Sequence, residues 1–93
     1  MVKDYRNLKS LLEQQECFPV QFMHKFIGRN SPRFAEGVAR FEKRFPQIKL
    51  RSTRKSSGEA HVALTYTFEA TDADEIIGII RATGTIDDVL VIL

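Results

Sequence analysis

The chain has 93 residues, 43% hydrophobic and 28% charged, which excludes wholesale disorder and allows one domain with a single core. One cysteine, Cys17, excludes an internal disulfide and a cysteine-based metal site and suits a reducing compartment. The formal net charge of +2 conceals a strong asymmetry along the chain.

Residues 1–42 carry +2, residues 43–58 carry +6 with no acid, and residues 59–93 carry −6. A basic block of this size either attracts anions or forms a solvated hairpin facing the acidic half. The longest aliphatic run is Val89 to Leu93, too short for a signal peptide or a membrane span. The expectation is a cytoplasmic protein with no membrane contact.

A short helix is expected from Tyr5 to Gln14. Asp4 is placed to cap it, and Tyr5, Leu8, Leu11 and Leu12 fall on one arc. At that length it must dock to persist. Residues 1–16 therefore read as a helical extension of one domain spanning 1–93. From Phe18 the period shifts towards two. Phe22, His24 and Phe26 alternate with Met23, Lys25 and Ile27, as in a strand apolar on both faces at the middle of a sheet. Gly28 ends it, Ser31 caps the next helix and Pro32 takes its first position.

Phe34, Val38, Phe41 and Phe45 form the apolar stripe of that helix, with Gly37 beside it to admit a close neighbour, and Pro46 enforces the stop. A hairpin follows. Ile48 and Leu50 alternate with Lys49, Arg51 and Thr53. After the turn Ser56, Ser57 and Gly58, the residues Val62, Leu64, Tyr66 and Phe68 alternate with His61, Ala63, Thr65 and Thr67. The basic first strand suits a sheet edge. Thr71 and Asp74 have the spacing of a capping box, and Asp72, Asp74 and Glu75 favour the positive end of a helix. Ile76, Ile77, Ile79 and Ile80 supply its buried face, and Gly84 is expected as a left-handed C-cap. Val89 to Leu93 reads as a last strand that needs pairing or coverage.

After the first helix the order is β, α, β, β, α, β. Right-handed connections and helices on one face make this an α+β, ferredoxin-like sandwich: a four-stranded antiparallel sheet under two helices, plus the short N-terminal helix. The strands near Phe18 and Ala60 are expected at the centre.

Phe18 and Pro19, Phe22, Lys25, Gly28 and Pro32, the turn of 56–58, the strand ending at Ala70 and Thr71, and the tail from Gly84 to Leu93 resemble the YbeD-like family of small bacterial proteins of unknown function. The resemblance runs from Leu11 onward. It implies a ferredoxin-like fold similar to the regulatory ACT domains and a loose link to lipoate metabolism, and it implies no catalytic residues. Asn30 and Ser31 depart from the acidic, glycine-containing loop of amino-acid-binding ACT domains.

Catalysis finds little support. His24 and His61 fall on opposite faces of the expected sheet, and neither has metal-ligand spacing to other donors. Cys17 precedes the first strand with nothing to activate it. The Asp72 and Asp74 pair suits a helix start, and Asp87 with Asp88 suits a turn. Gly28 stands alone where a phosphate loop needs several glycines. No enzyme, cofactor or metal is expected. Nor is the aromatic platform of an RNA-recognition sheet present, because Tyr66 and Phe68 face inward. Nucleic acid remains an alternative only through its backbone, at the basic hairpin 43–58 with Arg51, Arg54 and Lys55.

The preferred expectation is a non-catalytic regulatory or protein-interaction module. Its open sheet face would carry Met23, Lys25, Ile27, Ala63 and Thr65, with Leu90 and Ile92 if the last strand alternates strictly. The partner is another protein or a second copy of the chain, or a small anionic metabolite near Lys25, Arg29 and the Gly28 turn. The candidate binding residues are Lys25, Gly28, Arg29, Arg51, His61 and Thr65.

Overall fold

A computed structural model describes residues 5–15 and 17–93. The elements are α1 (Tyr5–Gln15), β1 (Val20–Arg29), α2 (Pro32–Arg44), β2 (Lys49–Lys55), β3 (His61–Ala70), α3 (Ala73–Gly84) and β4 (Val89–Ile92). All pairings are antiparallel and the strand order is β2-β3-β1-β4. This is the ferredoxin-like arrangement, with β1 and β3 central. The expected cap at Asp4 lies outside the described residues. In α1, Leu12 packs on the core but Leu11 is 52% exposed, so the buried stripe is narrower than expected.

The central pair is regular from Val20 opposite Ala70 to Arg29 opposite His61. Period two then sends Phe22, His24 and Phe26 of β1 and Val62, Leu64, Tyr66 and Phe68 of β3 to the helix side. There Phe26 stacks on Tyr66 with centroids 5.8 Å apart, and Phe34 and Phe41 of α2 meet Phe26 edge-on. The Tyr66 hydroxyl donates to Glu42 Oε2 at 2.6 Å. Burial first, and then the Glu42 carboxylate, push its ionisation far above the usual phenol range.

Both edge strands break the alternation. In β2 the register shifts between Leu50 and Ser52, so Thr53 pairs with Leu64 and Arg54 with Ala63. Thr53 therefore turns to the helix side, where uninterrupted alternation would have placed it with Lys49. In β4 the shift falls between the partners of Ile27 and Gly28, so Val91 opposes Ile27 and Ile92 opposes Phe26. Ile92, expected on the open face, packs instead on the core, and Val91 takes the open-face position beside Ile27. Each shift is a bulge, in which one residue, Arg51 or Leu90, has no partner.

Helix ends follow side-chain capping. Ser31 Oγ accepts from the Phe34 amide at 3.1 Å and donates to Asp88 Oδ2 at 2.6 Å. The cap of α3 is Asp72, not Thr71: its carboxylate accepts from the Glu75 amide, while Glu75 reaches back to the Thr71 amide and hydroxyl. Burial works against ionised Glu75, but these bonds and one from Gln47 hold its carboxyl below the usual range. Gly84 is the last residue of α3, and Thr85, in right-handed conformation, is the C-cap. The left-handed turn comes later, at Asp88 with φ 68°.

Two glycines permit the helical layer to seat. A Cβ on Gly28 would lie 2.2 Å from Cε1 of Phe34, and one on Gly37 would lie 2.7 Å from Cγ2 of Ile86. Gly28→Ala is expected to destabilise the fold by about 2–3 kcal/mol through overpacking. Gly78→Ala, which meets nothing within 4 Å, should be neutral or stabilise by up to about 1 kcal/mol through helix propensity. Urea unfolding of the two variants gives the comparison, and equal effects would remove the Phe34 contact as the reason for Gly28.

His24 is 1% exposed, with Nε2 2.8 Å from Thr83 Oγ1. Because the Thr83 hydroxyl donates to the Ile79 carbonyl at 2.9 Å, it accepts from His24, which sets the proton on Nε2. Burial lowers the imidazole pKa from 6.5 to about 4. Between those values the unfolded chain binds the extra proton, so the His24 contribution is full above pH 6.5 and declines as pH falls towards 4. His24→Gln keeps a donor for Thr83 without titrating. Relative to this variant, the parent should lose about 3 kcal/mol of stability between pH 7 and 4, measured by denaturant melts across that range. Parallel profiles for the two proteins would refute the assignment.

Candidate functional site

The helices cover one side of the sheet, and the other side is open. Register places its residues in rows. Met23 opposes Thr67, Lys25 opposes Thr65, Ile27 opposes Ala63 and Arg29 opposes His61 on the central strands. From β2 come Lys49 beside Thr67, Ser52 beside Thr65 and Arg54 beside Ala63. Arg51, the unpaired residue of the bulge, donates from Nε to Thr67 Oγ1 at 2.8 Å. From β4 come Val91 beside Ile27 and, following it, Leu93, whose amide donates to the Lys25 carbonyl at 2.8 Å.

The face is divided chemically. Along β4 and the adjacent part of β1 lie apolar groups: Met23 is 67% exposed, Val91 44% and Leu93 65%. Along β2 and β3 lie Lys49, Arg51 and Arg54, with Lys25 between the halves and Arg29 at one end. Glu69, beside Gln21 at the far end, is the sole acid in the four strands. The side chains of Lys25, Arg29, Lys49 and Arg54 form no hydrogen bond or ion pair among the described residues. A shallow depression of about 350 Å³ has Ile27 and Ala63 for its floor and Arg54, Lys55, Ser56 and His61 around it. Lys55 is held by Glu59 at 3.3 Å, whereas the Arg54 side chain has no ion-pair partner among the described residues.

Five of the six residues expected at a binding site, Lys25, Arg29, Arg51, His61 and Thr65, share this open face. Gly28 does not join them. It is buried on the helix side, with the Phe34 ring over its Cα, and its place in the chain is explained by packing. Arg54 and Val91 complete the face, and the two bulges decide which of their neighbours accompany them. A bulge leaves no local composition signal in β2 or β4, so period two alone could not supply that detail.

The two histidines lie on opposite sides of the sheet. His61 is exposed on the open side and His24 is buried on the other, as the alternation requires. Among the described residues no cluster of three His, Cys, Asp or Glu side chains has the arrangement of a metal site. Cys17 is exposed ahead of β1. Among the described residues no helix is long and apolar enough to cross a membrane. What the face offers is an open sheet surface with cations, hydroxyls and an apolar margin.

The model of one protein family, described as a protein of unknown function (DUF493), matches residues 13–93. The match begins inside α1 and takes in the whole sheet, both long helices and every residue of the open face. No curated protein and no solved structure matches the chain.

Proposed function

The chain belongs to the DUF493 family, and we propose that it is a non-catalytic interaction module whose open sheet face docks an acidic segment of another protein. The YbeD-like pattern in the sequence is compatible with this family, and a regulatory role of the ACT kind is one setting in which such docking operates. The observation that carries the reading is the composition of the face: unpaired Lys25, Arg29, Lys49 and Arg54 beside exposed Met23, Val91 and Leu93.

Charge and apolar surface together favour a polypeptide. A nucleic-acid backbone satisfies the cations but leaves the apolar margin against water or phosphate, and among the described residues the face offers no Phe, Tyr or Trp ring for base stacking, the His61 imidazole standing alone at one end. On this face a small metabolite would engage only the depression beside Arg54 and His61 and leave most of the cations unused. A second copy stacked face to face would set the same cations against one another about 10 Å apart, which disfavours that form of homodimer. An acidic strand or helix with a few aliphatic anchors meets both halves, with steering by charge and retention by apolar contact.

The test uses a labelled extended peptide of alternating Glu and Leu, its Lys and Leu counterpart, and a single-stranded oligonucleotide. The acidic peptide is expected to bind saturably, to shift the amides of Lys25, Ile27, Arg54 and Ala63 in NMR spectra, and to weaken as salt rises. Lys25→Glu with Arg54→Glu should reduce its affinity at least about tenfold, since each reversal turns an attraction into a repulsion. Equal binding of the basic peptide, or tighter binding of the oligonucleotide with the same amides shifted, would overturn the reading.

A further inference from the structure

On the opposite side of the molecule a groove of about 270 Å³ runs between α2 and α3, lined by Gly37, Arg40, Phe41, Arg44, Ala82, Thr85 and Ile86. We propose that it binds a small organic anion, a carboxylate or phosphate carrying a compact apolar body. The floor consists of core residues: Phe41, Ala82 and Ile86 are all less than 9% exposed. At one end Ile86 packs directly on Gly37, whose missing side chain admits it, so the groove ends on an apolar contact. An apolar body placed there extends the packed layer between the helices instead of resting on polar surface.

The rim supplies charge. Arg40 and Arg44 stand one helical turn apart on the same side of α2, and neither has an acid or hydrogen-bond partner among the described residues. Arg44 is steadied by the Phe45 ring, with its guanidinium carbon 5.0 Å from the centroid, which orients it in advance of binding. Two planar guanidiniums suit the oxygens of a carboxylate or phosphate. The end of α3 does not oppose them with open acceptors. The Ala82 carbonyl is occupied by the Thr85 amide and hydroxyl, and the Thr83 carbonyl accepts from the Ile86 amide. The groove lies on the helix side, so its ligand and a partner on the sheet face do not compete for space.

Titration of the full chain with hexanoate, phenyl phosphate, hexanol and hexylamine, followed by the NMR amide signals of Gly37, Arg40, Thr85 and Ile86, tests the site. Both anions are expected to shift these signals saturably at millimolar concentration. Hexanol and hexylamine should bind at least tenfold more weakly. Arg40→Glu with Arg44→Glu, both on the exposed side of α2, should abolish the anion response. Thermal melts confirm that this variant is folded, and Arg40→Gln with Arg44→Gln, expected to weaken the response severalfold, serves if it is not. Equal response to all four compounds, shifts elsewhere only, or anion binding retained in the variants would overturn the site. The Lys25 and Arg54 substitutions on the sheet face leave this response unchanged, which separates the two surfaces.

Discussion

The β1–β3 ladder is the constraint on which the rest of the molecule depends. Ten residues pair with ten without interruption, and every side chain on the two central strands is assigned to a face by that register. A slip of one residue would turn one strand over relative to the other: if β1 turned, Phe26 would be exposed and Lys25 and Arg29 buried. The free-energy gap against that slip is large, because burying unpaired charges and exposing aromatic rings are both unfavourable. The open face is therefore as strongly specified as the core. Its cations stand where they do because the rings behind them can go nowhere else.

One end of the ladder is tied to the helices and to the last strand through a few short contacts. Arg29 donates its amide to the Asp88 carbonyl, and the Asp88 carboxylate accepts from Ser31, which caps α2. The turn of Asp88 therefore fixes the start of β4 and of α2 together. Phe34 lies on Gly28 just inside this junction, and Ile86 lies on Gly37 one turn further along. The two close approaches set the height and position of α2 over the sheet. The groove between α2 and α3 is a consequence of the same seating, since Gly37 and Ile86 form its end.

Fold class was legible because each long element has one strong period. The stripe Phe34, Val38, Phe41 identifies α2, and Val62, Leu64, Tyr66, Phe68 identifies β3 with its faces correctly assigned. Five candidate site residues came together for the same reason: alternation on two central strands needs no tertiary information. The capping of α3 was shifted by one residue because Thr71, Asp72, Asp74 and Glu75 offer competing partners, and only the geometry selects Asp72 with Glu75. Gly28 looked like a ligand turn because a glycine at a strand end has several uses. Its role as a seat for Phe34 depends on a ring six residues away, whose direction a sequence does not state.

The two bulges show how the edges differ from the centre. A strict alternation in β2 would turn Thr53 and Lys55 to the open side. The bulge at Arg51 turns Ser52 and Arg54 there instead, and Arg54 then stands over Ala63, where no side chain of β3 shields it. In β4 the bulge at Leu90 sends Ile92 into the core and leaves Val91 beside Ile27, so the apolar margin of the open face abuts the apolar centre of β1. Bulges and short length also blunt both edges against strand addition. With the edges blunted, the open face is the broad uncovered surface of the sheet, while the helical side carries the groove beneath Arg40 and Arg44 and a second depression bordered by Phe34, Val38, Lys55 and Leu64. Its basic half lies along β2 and β3, while the acids of residues 59–93 cap α3, close turns or end β3 beside Gln21. The charge asymmetry of the chain thus becomes partly spatial: Lys49, Arg51 and Arg54 of the basic block stand on the side without a helix to cover it, while Lys43 and Arg44 belong to α2.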